Sequence, residues 1–165
     1  MNVSSCHNIA ELRTLAARKL PRPVFHYIDG GADDEWTLRR NTEAFDDYEL
    51  LPSQLSDVSA IDSASTLFGQ PVDWPVMISP TGGSKLFHRD GEPAVARAAQ
   101  RFGMIYSLST LATTSIEDAA AATDGPKMFQ LYIFKDRGLT EEHIERCRAA
   151  GYVAVCLTAD TPVAG

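Results

Sequence analysis

The sequence predicts an α/β protein with a parallel central sheet, and two observations support this fold class. After Pro75, short apolar runs alternate with helical patterns at intervals of roughly 25 residues, which is typical of successive βα units. Four of the apolar runs also end in small or hydroxyl residues. Because α/β folds bind ligands at the carboxyl ends of parallel strands, this pattern predicts a binding site at that edge of the sheet.

The N-terminal part, residues 1–72, is predicted to hold three short helices and a connecting segment. Asn8 is expected to cap the first helix, with Glu11 at the reciprocal capping position. Pro21 ends this helix, because proline lacks the backbone N–H that a helix interior requires. The first helix is therefore short and amphipathic.

A second and a third helix are expected to follow directly. Pro23 can open the second helix, and Gly30-Gly31 is expected to end it, because glycine adopts the left-handed conformation of a helix end at little cost in free energy. Asp33 and Asp34 are expected to cap the third helix. Residues 48–72 show weaker patterns, which indicate extended connections or a small hairpin.

The main domain is predicted to span residues 73–165 and to contain four strands separated by three helices. The strands are expected at 76–79, 104–109, 127–133 and 153–158, and the helices at 92–102, 115–123 and 140–150. The expected caps of these three helices are Asp90, the pair Thr114 and Glu117, and Thr140. The local signals thus agree with repeated βα units.

Composition excludes several classes of function. The formal charge of -7 and the pI near 5.0 disfavour nucleic acid as a partner, because phosphate binding requires clustered Lys and Arg. The three cysteines and four histidines show no spacing typical of a disulfide framework, a metal site or a catalytic dyad. No secretory signal or membrane-spanning run is evident, so the expected location is cytoplasmic, either free or peripheral on the inner membrane.

The third predicted strand has one polar face. Because side chains alternate along a strand, Gln130 and Tyr132 lie on one face and apolar residues on the other. Buried polar side chains need hydrogen-bond partners. A polar ligand could supply them, and so could neighbouring backbone in a structural network, and the residues alone leave both open.

The other strand ends carry weaker signals. Pro80-Thr81-Gly82-Gly83 could bring backbone N–H groups close to a ligand, but it matches no known phosphate loop and could be a plain βα turn. The hydroxyl groups of Ser109, Thr110 and Thr158 could likewise cap turns. Their convergence at one edge of a sheet favours a binding site.

Five motifs together resemble the N-terminal half of the FMN-dependent α-hydroxy acid dehydrogenase and oxidase family, which includes glycolate oxidase, L-lactate dehydrogenase and mandelate dehydrogenase. The motifs occur in the family's order and are residues 25–38, 80–82, 108–113, 129–132 and 157–162. The resemblance runs from about Ile9 to Gly165. It implies a (β/α)8 TIM barrel preceded by helices, of which this chain holds strands 1–4, with FMN across their carboxyl ends.

The resemblance also implies roles for individual residues. Positions matching the family's flavin contacts are Pro80, Thr81, Gly82, Ser109, Gln130 and Thr158. Positions matching its two substrate-binding tyrosines are Tyr27 and Tyr132. The family's base His, its carboxylate-binding Arg and its flavin-stabilising Lys have no counterpart here and are expected beyond Gly165. No metal is implied.

The implied reaction is oxidation of an (S)-2-hydroxy acid to a 2-oxo acid, with electrons passing to FMN and then to a quinone, a cytochrome or oxygen. Leu111 replaces an aromatic residue of glycolate oxidase, which favours L-lactate or a larger acid. The complete protein is expected to be a homo-oligomer. The half-barrel alone is expected to be inactive and either poorly stable or prone to associate, because two strand edges are unpaired and part of its apolar inner face is exposed.

Two other functions stay open. A non-catalytic half-barrel could bind flavin, or a partner chain that supplies the missing strands. A related FMN-dependent barrel oxidoreductase, such as an isomerase or a nucleotide dehydrogenase, could share these N-terminal features. The downstream sequence separates them, because a strand ending in Lys followed by a His-x-x-Arg pair is typical of the hydroxy acid family.

Overall fold

The computed structural model describes residues 2–160, which divide into two compact units. The first unit ends at Asp57 and the second begins at Val58. The sequence-based division after residue 72 instead groups the segment 58–72 with the N-terminal part. Within the described residues, no helix is long and apolar enough to cross a membrane.

The first unit consists of three helices joined by short turns. Helix α1 spans Ile9–Lys19, α2 spans Arg22–Asp29 and α3 spans Trp36–Glu43. Asn8 caps α1 as predicted, because its side chain accepts a hydrogen bond from the Glu11 backbone N–H at 2.9 Å. The Glu11 carboxylate accepts from the His7 backbone N–H, one residue earlier than the expected partner.

The start of α3 differs from the prediction. Glu35, rather than Asp33 or Asp34, is the N-cap residue, and its backbone is left-handed with φ 60°. Asp34 still accepts a hydrogen bond from the Trp36 backbone N–H at 3.4 Å. The turn delays the helix by one residue, because both Asp33 and Glu35 adopt positive φ angles.

The second unit opens with a β-hairpin, which confirms one of the two expectations for residues 48–72. Strands β1 (Ser65–Leu67) and β2 (Gln70–Val72) pair antiparallel. The two-residue turn between them, Phe68 and Gly69, has positive φ angles at both positions. Such turns match the twist of a hairpin, and glycine at the second position reduces their strain.

A parallel sheet with helices between its strands forms the rest of the unit. The strands are β3 (Tyr106–Ser109), β4 (Lys127–Leu131) and β5 (Ala154–Leu157), in that order. The helices are α4 (Ser84–Phe87), α5 (Gly91–Arg101), α6 (Ile116–Ala121) and α7 (Arg137–Ala149). The predicted βα alternation is therefore confirmed, although each element is shifted or shortened at its ends.

The strand predicted at 76–79 is present only as two parallel bridges to the β3 region. Met77 pairs with Ile105, and Thr81 pairs with Leu108. Prolines at positions 75 and 80 lack backbone N–H groups, so a longer ladder does not form here. The chain still passes beside β3 as the first strand of a half-barrel should.

Two predicted helix caps are wrong, because the Thr114 hydroxyl binds the distant Glu92 and Thr140 lies inside α7, where its hydroxyl accepts from the Phe134 backbone N–H. Ser115, not Thr114, caps α6 by accepting from the Asp118 backbone N–H at 3.0 Å. Asp136, not Thr140, caps α7. Asp90 precedes α5 as expected, but its side chain makes no capping hydrogen bond.

The two faces of the sheet bury different side chains. Toward the helices, residues of β3 and β4 pack with α5, α6 and α7 in a cluster of ten buried residues: Ala96, Ala99, Met104, Tyr106, Leu108, Ile116, Ala119, Phe129, Leu131 and Cys147. On the opposite face, a smaller cluster consists of Val72, Ile105 and Met128. Farther along the strands this inner face becomes polar, with Ser107, Ser109 and Gln130.

Replacing Phe129 by alanine should test the outer cluster. Phe129 is 2% exposed, so truncation leaves a cavity and should lower the free energy of unfolding by about 3–5 kcal/mol. Urea unfolding followed by circular dichroism measures this change. Phe102→Ala is the control, because that ring is 54% exposed, and a loss of equal size there would contradict the assignment of the core.

Candidate functional site

A line of side-chain hydrogen bonds joins the carboxyl ends of the three strands. The Ser109 hydroxyl donates to Gln130 Oε1 at 3.1 Å, and Gln130 Nε2 donates to Thr158 Oγ1 at 2.7 Å. Ser109 and Gln130 are direct partners in the β3–β4 ladder, and Thr158 follows the end of β5. Parallel pairing thus brings together three predicted site residues that are distant in sequence.

Not every proton of these three side chains has an acceptor among residues 2–160. Gln130 Oε1 also accepts from the Thr110 backbone N–H at 3.1 Å, so both acceptor positions of this buried amide are used. One Nε2 proton of Gln130 and the hydroxyl proton of Thr158 have no acceptor in the described part of the chain. The line therefore carries two spare hydrogen-bond donors at the carboxyl edge of the sheet.

Ser107 lies two positions before Ser109 on the same face of β3. Its side chain is 1% exposed, and no residue between 2 and 160 forms a hydrogen bond with its Oγ atom. An unpartnered buried hydroxyl is rare and costly in a folded protein. The sequence analysis missed Ser107, although its alternation with Ser109 could have indicated it.

The loop after the first-strand segment packs against the loop after β3. Gly83 donates its backbone N–H to the Leu111 carbonyl at 3.0 Å. A Cβ atom on Gly82 would lie 3.0 Å from Leu111 Cβ and 3.3 Å from the Leu111 carbonyl oxygen. Glycine is thus required here for contact with Leu111, a reason that differs from the predicted approach to a ligand.

The remaining predicted site residues lie in different surroundings. Pro80 is half-buried and Thr81 is exposed, both beside β3. Tyr132 is half-buried just beyond β4, and its backbone N–H donates to Thr110 Oγ1 at 3.2 Å. Tyr27 belongs to α2 of the first unit, where its side chain is 69% exposed. Seven of the eight predicted residues therefore lie in the second unit.

A buried carboxylate that the sequence analysis missed lies behind the two loops. Glu92, in the first turn of α5, is 1% exposed. Its carboxylate accepts hydrogen bonds from the Thr113 backbone N–H at 2.7 Å, the Thr114 hydroxyl at 2.7 Å and the Ser84 backbone N–H at 3.3 Å. The Thr113 hydroxyl lies 2.8–2.9 Å from both carboxylate oxygens.

These donors keep Glu92 ionised. Burial alone would raise the pKa of Glu92, but the hydrogen bonds from Thr113 and Thr114 outweigh burial and lower this pKa to about 2, from a usual value of 4.5. A glutamate in the first turn of a helix normally indicates only a favourable dipole interaction. For this reason, no sequence pattern predicted that Glu92 reaches residues more than twenty positions away.

No group of three or more His, Cys, Asp or Glu side chains in the described residues is arranged to hold a metal ion. The site is therefore built from hydroxyl, amide and backbone groups. Thr161 and Pro162, which complete the last family motif, lie outside the described residues.

Comparison with known proteins gives the family. Residues 16–165 match the FMN-dependent dehydrogenase family, which is most of the chain. The chain belongs to this family. Glycolate oxidase 1 of Oryza sativa subsp. indica is 44% identical over 158 residues, covering 96% of this chain and 43% of that enzyme. Glycolate oxidase of Spinacia oleracea is 42% identical over the same length.

Solved structures of the FMN-dependent family share the fold closely. Lactate oxidase of Pediococcus acidilactici matches 98% of this chain and 45% of its own with a TM-score of 0.93 and 35% identity. A soluble mutant of the membrane-associated (S)-mandelate dehydrogenase of Pseudomonas putida matches with a TM-score of 0.91 and 35% identity, covering 96% of this chain and 45% of that one. The chain thus has the N-terminal half of the family's (β/α)8 barrel and spans less than half the length of the curated relatives.

Replacing Glu92 by glutamine should change how stability depends on pH. Because folding lowers the pKa of Glu92, its ionised form stabilises the native state above pH 4.5, and this contribution of about 3 kcal/mol is lost as the pH falls toward 2. Urea unfolding at pH 6 and pH 3 should therefore show a smaller acid-induced loss in Glu92→Gln than in the wild type. Equal losses would contradict the assigned ionisation, and Glu141→Gln, an exposed helix position, is the control.

Proposed function

We propose that this chain supplies the flavin-facing half of an FMN-dependent enzyme that oxidises an (S)-2-hydroxy acid to a 2-oxo acid. The observation that carries the proposal is the hydrogen-bonded line of Ser109, Gln130 and Thr158 with its two spare donors. The isoalloxazine ring presents carbonyl and ring-nitrogen acceptors along one edge. Donors at the carboxyl ends of parallel strands suit that edge, so these residues fit the family's cofactor.

Bound FMN would supply the electron acceptor for the substrate's two electrons. Gln130 and Thr158 would donate hydrogen bonds to the ring edge, where negative charge accumulates on reduction. Ser109 would orient Gln130, because its hydroxyl holds the amide oxygen. Pro80, Thr81 and Gly82 would approach the ring through backbone groups. These assignments rest on the family motifs and on the geometry of the strand ends.

Two tyrosines would bind the substrate. Tyr132 directly follows β4 and lies two residues beyond Gln130, which suits contact with both substrate and cofactor. Tyr27, in the motif at 25–38, matches the family's other substrate-binding tyrosine, and the same role is proposed for it. The base His, the Arg and the Lys of the family would come from the second half of the barrel, which residues 1–165 do not include.

We propose L-lactate, or a larger 2-hydroxy acid, as the substrate. Leu111 contacts Gly82, and its side chain is 60% exposed at the strand-end face. Glycolate oxidase carries an aromatic residue at the position matching Leu111, so leucine leaves more space beside the loop. The proposed electron acceptor is a quinone, a cytochrome or oxygen, and the complete protein would be a cytoplasmic homo-oligomer, free or peripheral on the inner membrane.

A second candidate function is a non-catalytic half-barrel that binds flavin or a partner chain. It is favoured by β5, whose Val155 and Leu157 side chains are 43% and 54% exposed. A parallel strand with apolar residues exposed at a sheet edge favours association with another strand. Flavin binding without substrate binding would support this alternative over the enzyme.

Flavin titration tests the proposal. Flavin fluorescence of the complete protein, with both halves of the barrel, measures the affinity for riboflavin and for FMN, which share the isoalloxazine ring that these residues would contact. Gln130→Leu removes the central amide and should weaken binding of both about ten-fold or more. Gln100→Leu is the matched control, because Gln100 Oε1 also accepts from a threonine hydroxyl, that of Thr123, and from a backbone N–H, but these partners precede β4, whereas Gln130 lies near its carboxyl end. Equal weakening by both variants would contradict the site.

Replacing Tyr132 by phenylalanine tests substrate binding separately from cofactor binding. In the complete protein with saturating FMN, Tyr132→Phe should leave flavin affinity unchanged and weaken binding of L-lactate about ten-fold, because one hydrogen bond to the substrate is lost. Perturbation of the flavin absorbance by added L-lactate measures this. Tyr152→Phe is the control, because the Tyr152 hydroxyl donates to the Ile116 carbonyl behind the sheet. Loss of flavin affinity in Tyr132→Phe would assign this residue to the cofactor or the fold.

A further inference from the structure

Two loops at the carboxyl edge of the sheet meet at one buried side chain. The first loop, residues 80–85, contains three of the proposed flavin contacts. The second loop, residues 110–115, follows β3 and contains Leu111. Glu92 accepts hydrogen bonds from the Ser84 backbone of the first loop and from the Thr113 and Thr114 groups of the second.

Thr113 links the loops a second time. Its hydroxyl oxygen accepts from the Lys85 backbone N–H at 3.1 Å, and its single proton faces the Glu92 carboxylate. A hydroxyl group can do both, because it has one proton to donate and lone pairs to accept. Two consecutive hydrogen bonds thus connect the Lys85 backbone N–H of the first loop to the Glu92 carboxylate, with the Thr113 hydroxyl between them.

We propose that Glu92 is a positioning residue that fixes the separation of the two loops, and with it the contact between Gly82 and Leu111. This inference rests on the proposed function, because that contact would then adjoin the flavin and the substrate. Glu92 itself would touch neither. It acts through Thr113, Thr114 and Ser84 on the loops that do.

The requirement for a carboxylate follows from the donors that surround it. Four groups point protons at Glu92, two of them backbone N–H groups and two of them hydroxyls. A glutamine has the same shape, but its Nε2 atom carries two protons and cannot accept. One side of the cluster would lose its acceptor, and the loop on that side would be released.

An alternative role is simple stabilisation of the second loop without any effect on the first. The variant Thr114→Val separates the two roles. It removes only the hydrogen bond from the Thr114 hydroxyl to Glu92 Oε2 and leaves the bonds of Thr113, Ser84 and Lys85 intact. If Glu92 positions both loops, loosening its hold on the second loop must also loosen the first.

Amide hydrogen exchange measured by NMR at Gly83, Ser84 and Lys85 tests this coupling. Thr114→Val should speed exchange at these amides about five-fold, and Thr114→Ser, which keeps the hydroxyl, should restore the wild-type rates. Glu92→Gln should speed them further. Unchanged rates in the first loop of Thr114→Val would overturn the proposal even if Glu92→Gln fails to fold.

Ser115→Ala is the control on the same loop. It removes the α6 cap by breaking the bond from the Asp118 backbone N–H, and Ser115 makes no contact with Glu92 among the described hydrogen bonds. Exchange at Asp118 should increase while the first loop stays protected. Faster exchange in the first loop of Ser115→Ala would show general loosening and overturn the specific role of Glu92.

Flavin titration of the same variants links the loops to the site. Thr114→Val should weaken riboflavin binding several-fold and Ser115→Ala should not. Coupled exchange with unchanged flavin affinity would overturn the positioning role in the site. If the complete wild-type protein binds no flavin, the proposed function fails, whereas hydrogen exchange still decides whether Glu92 couples the loops.

Discussion

The side-chain amide of Gln130 is the interaction on which the carboxyl edge of the sheet depends. Its oxygen accepts from Ser109 and Thr110, and its nitrogen donates to Thr158, so three strands are tied by one side chain. A buried amide costs free energy unless its groups are paired. Among residues 2–160, both acceptor positions of the oxygen are paired and one proton of the nitrogen is not, so this edge can donate to an acceptor-rich ligand.

The position of that edge follows from how a parallel sheet is buried. The helices cover one face, where Tyr106, Leu108 and Phe129 pack against them. The inner face changes along the strands from the apolar Ile105 and Met128 to the serines and Gln130. The polar residues lie toward the carboxyl ends of the strands, where folds of this kind bind ligands. The hairpin residue Val72 packs at the apolar end. Polar groups are thus confined to one end of the inner face.

The elements with strong periodicity and clear terminators could be predicted from the sequence, and the details set by distant residues could not. The order of strands and helices followed from local patterns, as did the capping of α1 by Asn8. The caps by Thr114 and Thr140 were wrong because those hydroxyls bind Glu92 and the Phe134 backbone N–H instead. The strand-end residues Ser109, Gln130 and Thr158 were identified from motifs, but the bonds among them depend on register, which one strand alone does not specify.

The loops of such a site need hydrogen-bond partners other than neighbouring strands, and Glu92 is such a partner. Loops at the carboxyl ends of strands must leave backbone N–H groups unpaired by a ladder if those groups are to reach a ligand. The same freedom leaves the loops without the hydrogen bonds that make a strand rigid. A carboxylate has about four acceptor positions in one compact group, so a single buried residue can satisfy donors from two loops at once. Its charge is tolerated in the interior because all of its surrounding donors point toward it, and removing any donor weakens the contact between both loops.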